Sequence, residues 1–267
     1  MKRMLIVIPA RYESVRYPGK PLVMLKGAKG EAKSLIRRTW DAACQIRNAS
    51  GVVVATDDHR IREECESFGA RVLMTSSDCR NGTERCAEAH AALGGECDIV
   101  VNLQGDAPLT PHWFIESIVS GLISDPAAEM STPVLKCDGL SLRSFRTDRG
   151  RGLVGGTTVV FDHDFHALYF SKEVIPYTTL AYGEKDPTPV HHHVGVYAYR
   201  ARALAEYRSW KPGILEQLEG LEQLRFLEQN RKILCVEVEA RGRKFWELNN
   251  PDDVERIETF MSQMGMD

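Results

Sequence analysis

The sequence predicts an α/β fold on a parallel, doubly wound sheet of Rossmann-like type, with helices on both faces and a small inserted β lobe. Three observations carry that expectation. Residues 4–8, 51–55 and 98–103 are short apolar runs, the pattern of strands buried on both faces. Stretches of helical apolar spacing separate them. Each run also ends abruptly in polar or turn residues, where an open α/β sheet presents its ligand site.

In chain order, 4–8 is the first strand, closed by Pro9. Leu35, Ile36, Trp40, Ala43 and Cys44 recur with helical spacing, so 34–46 reads as the helix covering that strand. The second strand, 51–55, leads into a helix over 58–68 and a brief strand over 71–74. A helix over 83–93 places Cys86, Ala87 and Ala91 on one face, and 98–103 is the third strong strand. Past residue 110 the texture changes. A helix is expected over 112–123 and a strand over 130–135, whereas 138–151 is charged and irregular. Residues 153–161 are β-rich around a Gly155-Gly156 break, 167–175 are mixed, and 176–189 read as a proline-containing loop. Residues 194–199 alternate like a strand facing water or a partner subunit. Helices over 201–210 and 219–229, a strand over 233–238 and a helix over 251–263 complete the chain. With no repeat or low-complexity linker, the expectation is one domain, 1–267, whose inserted lobe spans roughly 150–200.

At 267 residues, 43% hydrophobic and 27% charged, the chain can bury a large core and falls outside the disordered class. A net charge of −3 gives no general attraction to nucleic acid or to an anionic membrane, so neither is expected as a partner. No apolar run approaches the ~18 residues of a membrane span, and the N-terminal run is too short for a signal peptide. The seven cysteines include no CxxC pair, which reads as reduced thiols in a cytoplasmic protein.

The chemistry is expected at three strand ends. After the first strand come Ala10, Arg11, Ser14, Arg16 and Lys20, with Pro18-Gly19 stiffening the loop. Forked Arg donors, a Lys point charge, Ser14 and free backbone N–H groups suit a polyphosphate. After the second strand come Thr56, Asp57 and Asp58, and after the third Gln104, Gly105 and Asp106. A carboxylate beside a polyphosphate loop has a specific task, because Mg²⁺ is held by one or two carboxylates plus substrate phosphates. Asn81, Gly82, Thr83 and Arg85 form a turn at a helix start, with free N–H groups for a base or phosphate. Each feature alone also has a plainer reading: a solvated basic loop, an Asx turn, a capped helix. No Ser/His/Asp or Cys/His arrangement competes, so a covalent nucleophile is not expected.

The run from Pro9 to Leu22 resembles the signature of the cytidylyltransferases that activate 2-keto sugar acids, closest to the 3-deoxy-manno-octulosonate (Kdo) cytidylyltransferase, or CMP-Kdo synthetase, family. Asn81-Gly-Thr-Glu-Arg85 is similar to its Ser-Gly-Thr-Glu-Arg motif, and Gln104-Gly-Asp106 to its Gln-Gly-Asp-Glu-Pro element, with Ala107 in place of the Glu. Tyr169-Phe-Ser-Lys172 with Ile175-Pro176, His193-Val-Gly-Val-Tyr197 and Leu221-Glu-Gln-Leu-Arg225 resemble motifs of the acceptor half. The resemblance implies a nucleotide-diphospho-sugar transferase fold and a cytoplasmic homodimer. It also implies CTP as co-substrate, Mg²⁺, and a role in lipopolysaccharide or other surface polysaccharide synthesis. Arg11, Lys20 and Asp106 would be catalytic. Ala10, Ser14, Arg16, Thr56, Asp57, Asn81, Gly82, Thr83, Arg85 and Gln104 would bind the nucleotide. Ser171, Lys172, His193, Tyr197, Glu222 and Gln223 would bind the sugar acid, where Lys172 can pair a carboxylate and the others bond hydroxyls. The family's second metal-binding Asp falls at Asn249, which brings an amide oxygen but no charge. Gly155-Gly-Thr-Thr158 likewise departs from the family's Asn-x-Val-Lys. Two alternatives follow from these departures: transfer to a different acidic acceptor such as a nonulosonic acid, and a non-catalytic nucleotide-sugar-binding protein.

Overall fold

Seven consecutive buried residues, β1 (Met4–Ala10), form the axis of the first of two compact units. A computed structural model describes residues 3–13, 17–154, 156–243, 246–248 and 250–267, and divides them into Met1–Glu116 with Ala240–Asp267, and Ser117–Glu239. The boundary falls within a helix, α4 (His112–Ser124).

In the first unit β1 pairs in parallel with β4 (Ala49–Thr56) on one side and β6 (Ile99–Leu103) on the other. β5 (Val72–Met74) adds outside β4, giving the order β5-β4-β1-β6, all parallel. Ile6, Val7, Ile8, Val53, Val54, Val100 and Val101 are 0% exposed, each worth roughly 1.5–3 kcal/mol of burial, so these runs belong in the middle of the sheet. The helices α1 (Leu35–Cys44), α2 (His59–Ser67) and α3 (Gly82–Ala92) lie where the spacing predicts, each with a side-chain cap. Ser34 accepts the Arg37 N–H, Asp58 those of Arg60 and Ile61, and Asn81 that of Glu84. A hairpin of β2 (Met24–Lys26) and β3 (Ala32–Ser34) was not expected. Its Leu25 joins Leu35 and Leu109 in a cluster with Leu248, Ile257 and Met261. That cluster returns the chain's last helix, α9 (Asp253–Met264), to the N-terminal half.

The second unit is built around β7 (Met130–Asp138). β10 (Pro187–His193) and β11 (Val196–Arg200) pair with it antiparallel, and β12 (Ile233–Glu237) parallel. β8 (Thr157–Phe161) and β9 (Ala167–Ser171) continue outward from β10.

Three elements here differ from the sequence reading. Residues 138–151 hold a helix, α5 (Gly139–Gly150), capped by Asp138 on the Ser141 N–H at 2.8 Å. Leu142 anchors it against Cys137 and Val190. The stretch with two prolines and three histidines is a strand, β10, because buried Thr188 and Val190 hold one face in place. The helix expected over 219–229 is only the short α8 (Leu224–Glu228); an unexpected helix, α7 (Ile214–Glu219), precedes it and is stopped by Gly220 in the left-handed region, φ 62°. α6 (Ala201–Tyr207) completes the unit. The alternation expected of 194–199 does not hold either. Val194, Val196, Tyr197, Ala198 and Tyr199 are all buried within the chain, so this strand leaves no face for a partner.

Candidate active site

Lys20 lies beyond the loop that leaves the carboxyl end of β1, and Asp106 follows β6. Parallel pairing of β1 with β6 therefore delivers both to one end of the sheet. Lys20 Nζ donates to Asp106 Oδ2 and, at 3.2 Å, to the Leu248 carbonyl. The Leu248 N–H donates to the Asp106 carbonyl at 2.9 Å, so the returning C-terminal segment braces the pair. The two side chains are 15% and 21% exposed, which weakens salt screening between them. Two glycines permit this geometry. Gly19, with φ 72°, closes the basic loop by donating to the Tyr12 carbonyl at 2.8 Å. At Gly105 a Cβ would lie 2.9 Å from the Pro9 carbonyl oxygen, so only glycine lets the two strand ends approach.

The second strand end is occupied by a buried cation. Arg85, 3% exposed, donates to Thr75 Oγ1 at 2.6 Å and to Asp57 Oδ2 at 3.2 Å. Thr56 is buried and accepts the Asp58 N–H at 3.2 Å. Asn81 caps α3, Thr83 is buried, and Gly82 lies so close to Gln104 that a Cβ would be 3.0 Å from its amide nitrogen. Beside them Asn102 is fully buried, and neither its Nδ2 nor its Oδ1 has a hydrogen-bond partner among the described residues. An unpaired buried amide costs about 1–3 kcal/mol, and it sits one residue from the end of β6. Ala10 is buried as the last residue of β1, and Arg11 is exposed. Ser14, Arg16 and Asn249 lie outside the described residues.

The expected Mg²⁺ can be judged from these donors. The oxygens facing Lys20 Nζ are one carboxylate and one backbone carbonyl, the hard type that Mg²⁺ takes, and a cationic group already lies against them. The residues fit that ion.

In the second unit Glu219 gathers the predicted acceptor residues of β9. Its carboxylate accepts from Ser171 Oγ at 2.7 Å, the Lys172 N–H at 3.0 Å and Tyr169 Oη at 3.3 Å. His193 is buried, with Nε2 3.0 Å from Thr132 Oγ1, and its ring stacks on Tyr197 at 5.6 Å. Burial, reinforced by neighbouring His192, pushes the His193 pKa down to about 3, so the ring is neutral at physiological pH. Tyr197 Oη donates to Gln223 Oε1 at 3.2 Å, while Gln223 Nε2 is buried without a hydrogen-bond partner among the described residues. Glu222 contributes its carbonyl to Tyr207 Oη at 3.1 Å. The acceptor residues thus form two groups, Ser171–Lys172 on Glu219 and His193–Tyr197–Gln223. Phe170 meets the His193 ring edge-on at 5.0 Å between them.

The family profile described as Cytidylyltransferase matches residues 5–233. The 3-deoxy-manno-octulosonate cytidylyltransferase of Maricaulis maris is 41% identical over 98% of this chain and 98% of its own length. The mitochondrial enzyme of that name from Arabidopsis thaliana is 40% identical, over 99% of this chain and 85% of its own.

The chain belongs to the cytidylyltransferase family.

A solved structure of CMP:2-keto-3-deoxy-manno-octonic acid synthetase complexed with CTP is similar throughout, with TM-score 0.82 and 33% identity, covering 98% of this chain and 99% of that one. The α/β fold with its parallel sheet is therefore that of a cytidylyltransferase. Two site features of this cytidylyltransferase had no signal in the sequence. Glu219 belongs to none of the quoted motifs, yet it holds Tyr169 and Ser171 of β9 and the N–H of Lys172 just after it. The Leu248 carbonyl reaches Lys20 across 228 positions, a closure that only the packing of α9 brings about.

Proposed function

We propose that this chain transfers a cytidylyl group from CTP to a 2-keto-3-deoxy sugar acid, Kdo or a close relative, giving a CMP-sugar acid and pyrophosphate. The observation that carries the reading is Lys20 held against Asp106 at the carboxyl ends of β1 and β6, in a chain similar over nearly its whole length to cytidylyltransferases of that acceptor. The anomeric hydroxyl oxygen attacks the α-phosphorus, the bond to the bridging α–β oxygen breaks, and pyrophosphate leaves as the hydroxyl proton passes to solvent. Such a step needs alignment and charge neutralisation more than covalent chemistry. Lys20 and Arg11, with Arg16 and Ser14, neutralise the triphosphate and the departing pyrophosphate. Asn81, Gly82, Thr83 and Gln104 border the nucleoside, and the Arg85–Asp57 pair holds that wall in shape rather than offering a free cation. Asp106, with the Leu248 carbonyl and Asn249, would hold Mg²⁺, which when bound polarises the phosphate oxygens. Lys172 takes the acceptor carboxylate, and Ser171, His193, Tyr197, Glu222 and Gln223 its hydroxyls.

The test is pyrophosphate release from CTP and Mg²⁺ with Kdo as acceptor. Release with Kdo is expected. Release only with other sugar acids moves the acceptor, and CTP binding without turnover on any acid overturns the enzymatic reading.

The inserted stretch of roughly residues 150–200, within the unit Ser117–Glu239, is proposed as the acceptor and dimerisation lobe of a single nucleotidyltransferase domain, in a cytoplasmic protein serving surface polysaccharide synthesis. Exposed Leu153, Val154, Leu168, Tyr177 and Leu180 on that unit support a homodimer, for which light scattering should return twice the chain mass of 30.0 kDa. A mass of one chain removes the proposal. All seven cysteines are free, in keeping with a reducing compartment, and no helix among the described residues is long and apolar enough to cross a membrane.

A further inference from the structure

The turn joining β8 to β9 reads Asp162-His-Asp-Phe-His166. Most of its polar groups are explained by the turn itself. Asp162 Oδ1 accepts the N–H groups of Asp164 and His166, both at 2.9 Å, and the Asp162 N–H donates to the His166 carbonyl at 2.9 Å. Those bonds fix the Asp162 carboxylate and leave Oδ2 facing the His166 ring, 3.9 Å from Nδ1.

His166 is not explained by the turn. It is nine-tenths buried, at 9% exposed. Its Nε2 lies 2.6 Å from Asp125 Oδ2, and a carboxylate partner assigns the ring proton to Nε2. The other ring nitrogen, Nδ1, is buried, has no hydrogen-bond partner among the described residues, and faces Asp162 Oδ2 at 3.9 Å. One ligand atom each from Asp162, Asp164 and His166 lies within 4.8 Å of the other two. A histidine that gives one ring N–H to a carboxylate and turns the other nitrogen toward anionic oxygens has the arrangement of a metal ligand with its outer support.

We propose that Asp162, Asp164 and His166 form a divalent transition-metal site, with Zn²⁺ as its best occupant and Asp125 as the group that orients His166. One imidazole nitrogen with two carboxylates suits Zn²⁺ better than Mg²⁺, which rarely takes nitrogen. Tetrahedral bonds of ~2.0 Å place donors roughly 3.3 Å apart, so the three groups must close slightly on the ion. Asp164 can supply that movement, since its side chain is 62% exposed and, among the described residues, pairs with the exposed His163 at 3.4 Å. The Asp125 carboxylate is already held in place: Oδ1 accepts the N–H groups of Ala127 and Ala128 at 2.9 and 3.3 Å, while Oδ2 faces His166 Nε2. The bound ion would fasten the β8–β9 turn to the segment after α4.

The experiment uses the full chain, freed of metal with a chelator and dialysed, then titrated with Zn²⁺ against a chromophoric competitor. Co²⁺ absorption serves as a second reporter of coordination. One ion is expected to bind more weakly by roughly tenfold or more in Asp164→Asn, an exposed change that leaves the turn's backbone bonds in place, and by roughly 10–100-fold in Asp125→Asn. Asp106→Ala should leave this binding unchanged, which separates the site from the nucleotide end of the first unit. Equal Zn²⁺ affinity in the parent and Asp164→Asn, or loss of the bound ion in Asp106→Ala alone, overturns the proposal. So does an absence of binding to the parent chain.

Discussion

Asp106→Ala should reduce kcat/KM for pyrophosphate release by about 10²–10³-fold, the scale of removing one preorganised charge from a transition state. The carboxylate faces Lys20 Nζ with most of both side chains out of solvent, so its removal leaves that cation without its anionic anchor. It also deletes the charged oxygen donor proposed for Mg²⁺, leaving the Leu248 carbonyl, which carries no charge. Both effects act where charge moves from the α-phosphate to pyrophosphate, so the loss should appear in kcat as well as in KM. Lys20→Met gives the complementary case: Asp106 stays, but one of the cations proposed to neutralise the triphosphate is gone. A kcat/KM for Asp106→Ala within about threefold of the parent, with circular dichroism unchanged, would take Asp106 out of the chemistry.

The convergence of Lys20 and Asp106 was legible because it follows from a topological rule. Apolar runs buried on both faces become neighbouring parallel strands, and the residues after them meet at one end of the sheet. The residues that brace the site were not legible. Leu248 arrives through a cluster assembled from residues 25 to 261, and no local pattern encodes that closure. The β2–β3 hairpin was missed because three-residue strands with exposed flanks carry no measurable alternation. α5 was missed for another reason. Its exposed face is basic and it starts and ends in glycine, so the anchor Leu142 and the Asp138 cap are its main helical signals. In β10 the two prolines masked the period, and tertiary pairing with β7 and β8 decided the outcome. Arg85 shows the reverse limit: the motif was visible, but its burial against Asp57 and Thr75 was not.

Arg225 shows how much a motif can owe to structure. It is 0% exposed, and its Nε and Nη2 donate to the two oxygens of Glu216, both at 2.6 Å. Its guanidinium also lies over the Tyr207 ring, 4.1 Å from the centroid. The pair joins α7 to α8 across the turn that carries Glu222 and Gln223. The same turn is tied a second time by Glu228, which accepts the N–H groups of Leu215 and Glu216 at 3.0 and 3.1 Å. Glu216→Ala removes the carboxylate that pairs both Nε and Nη2 of a fully buried guanidinium, so the expected loss is about 3–5 kcal/mol. Arg225→Lys should also destabilise, because an ammonium cannot reproduce the forked pairing. Replacing both partners, as Glu216→Leu with Arg225→Met, removes the two buried charges together and should recover most of the loss. With two compact units the chain need not unfold in one step. The measurement is therefore amide hydrogen exchange in α7 and α8, alongside the denaturation midpoint. Exchange protection in Glu216→Ala within about 1 kcal/mol of the parent would mean that Tyr207 and the Trp210 carbonyl, 3.5 Å from Nη1, rather than Glu216, stabilise its charge.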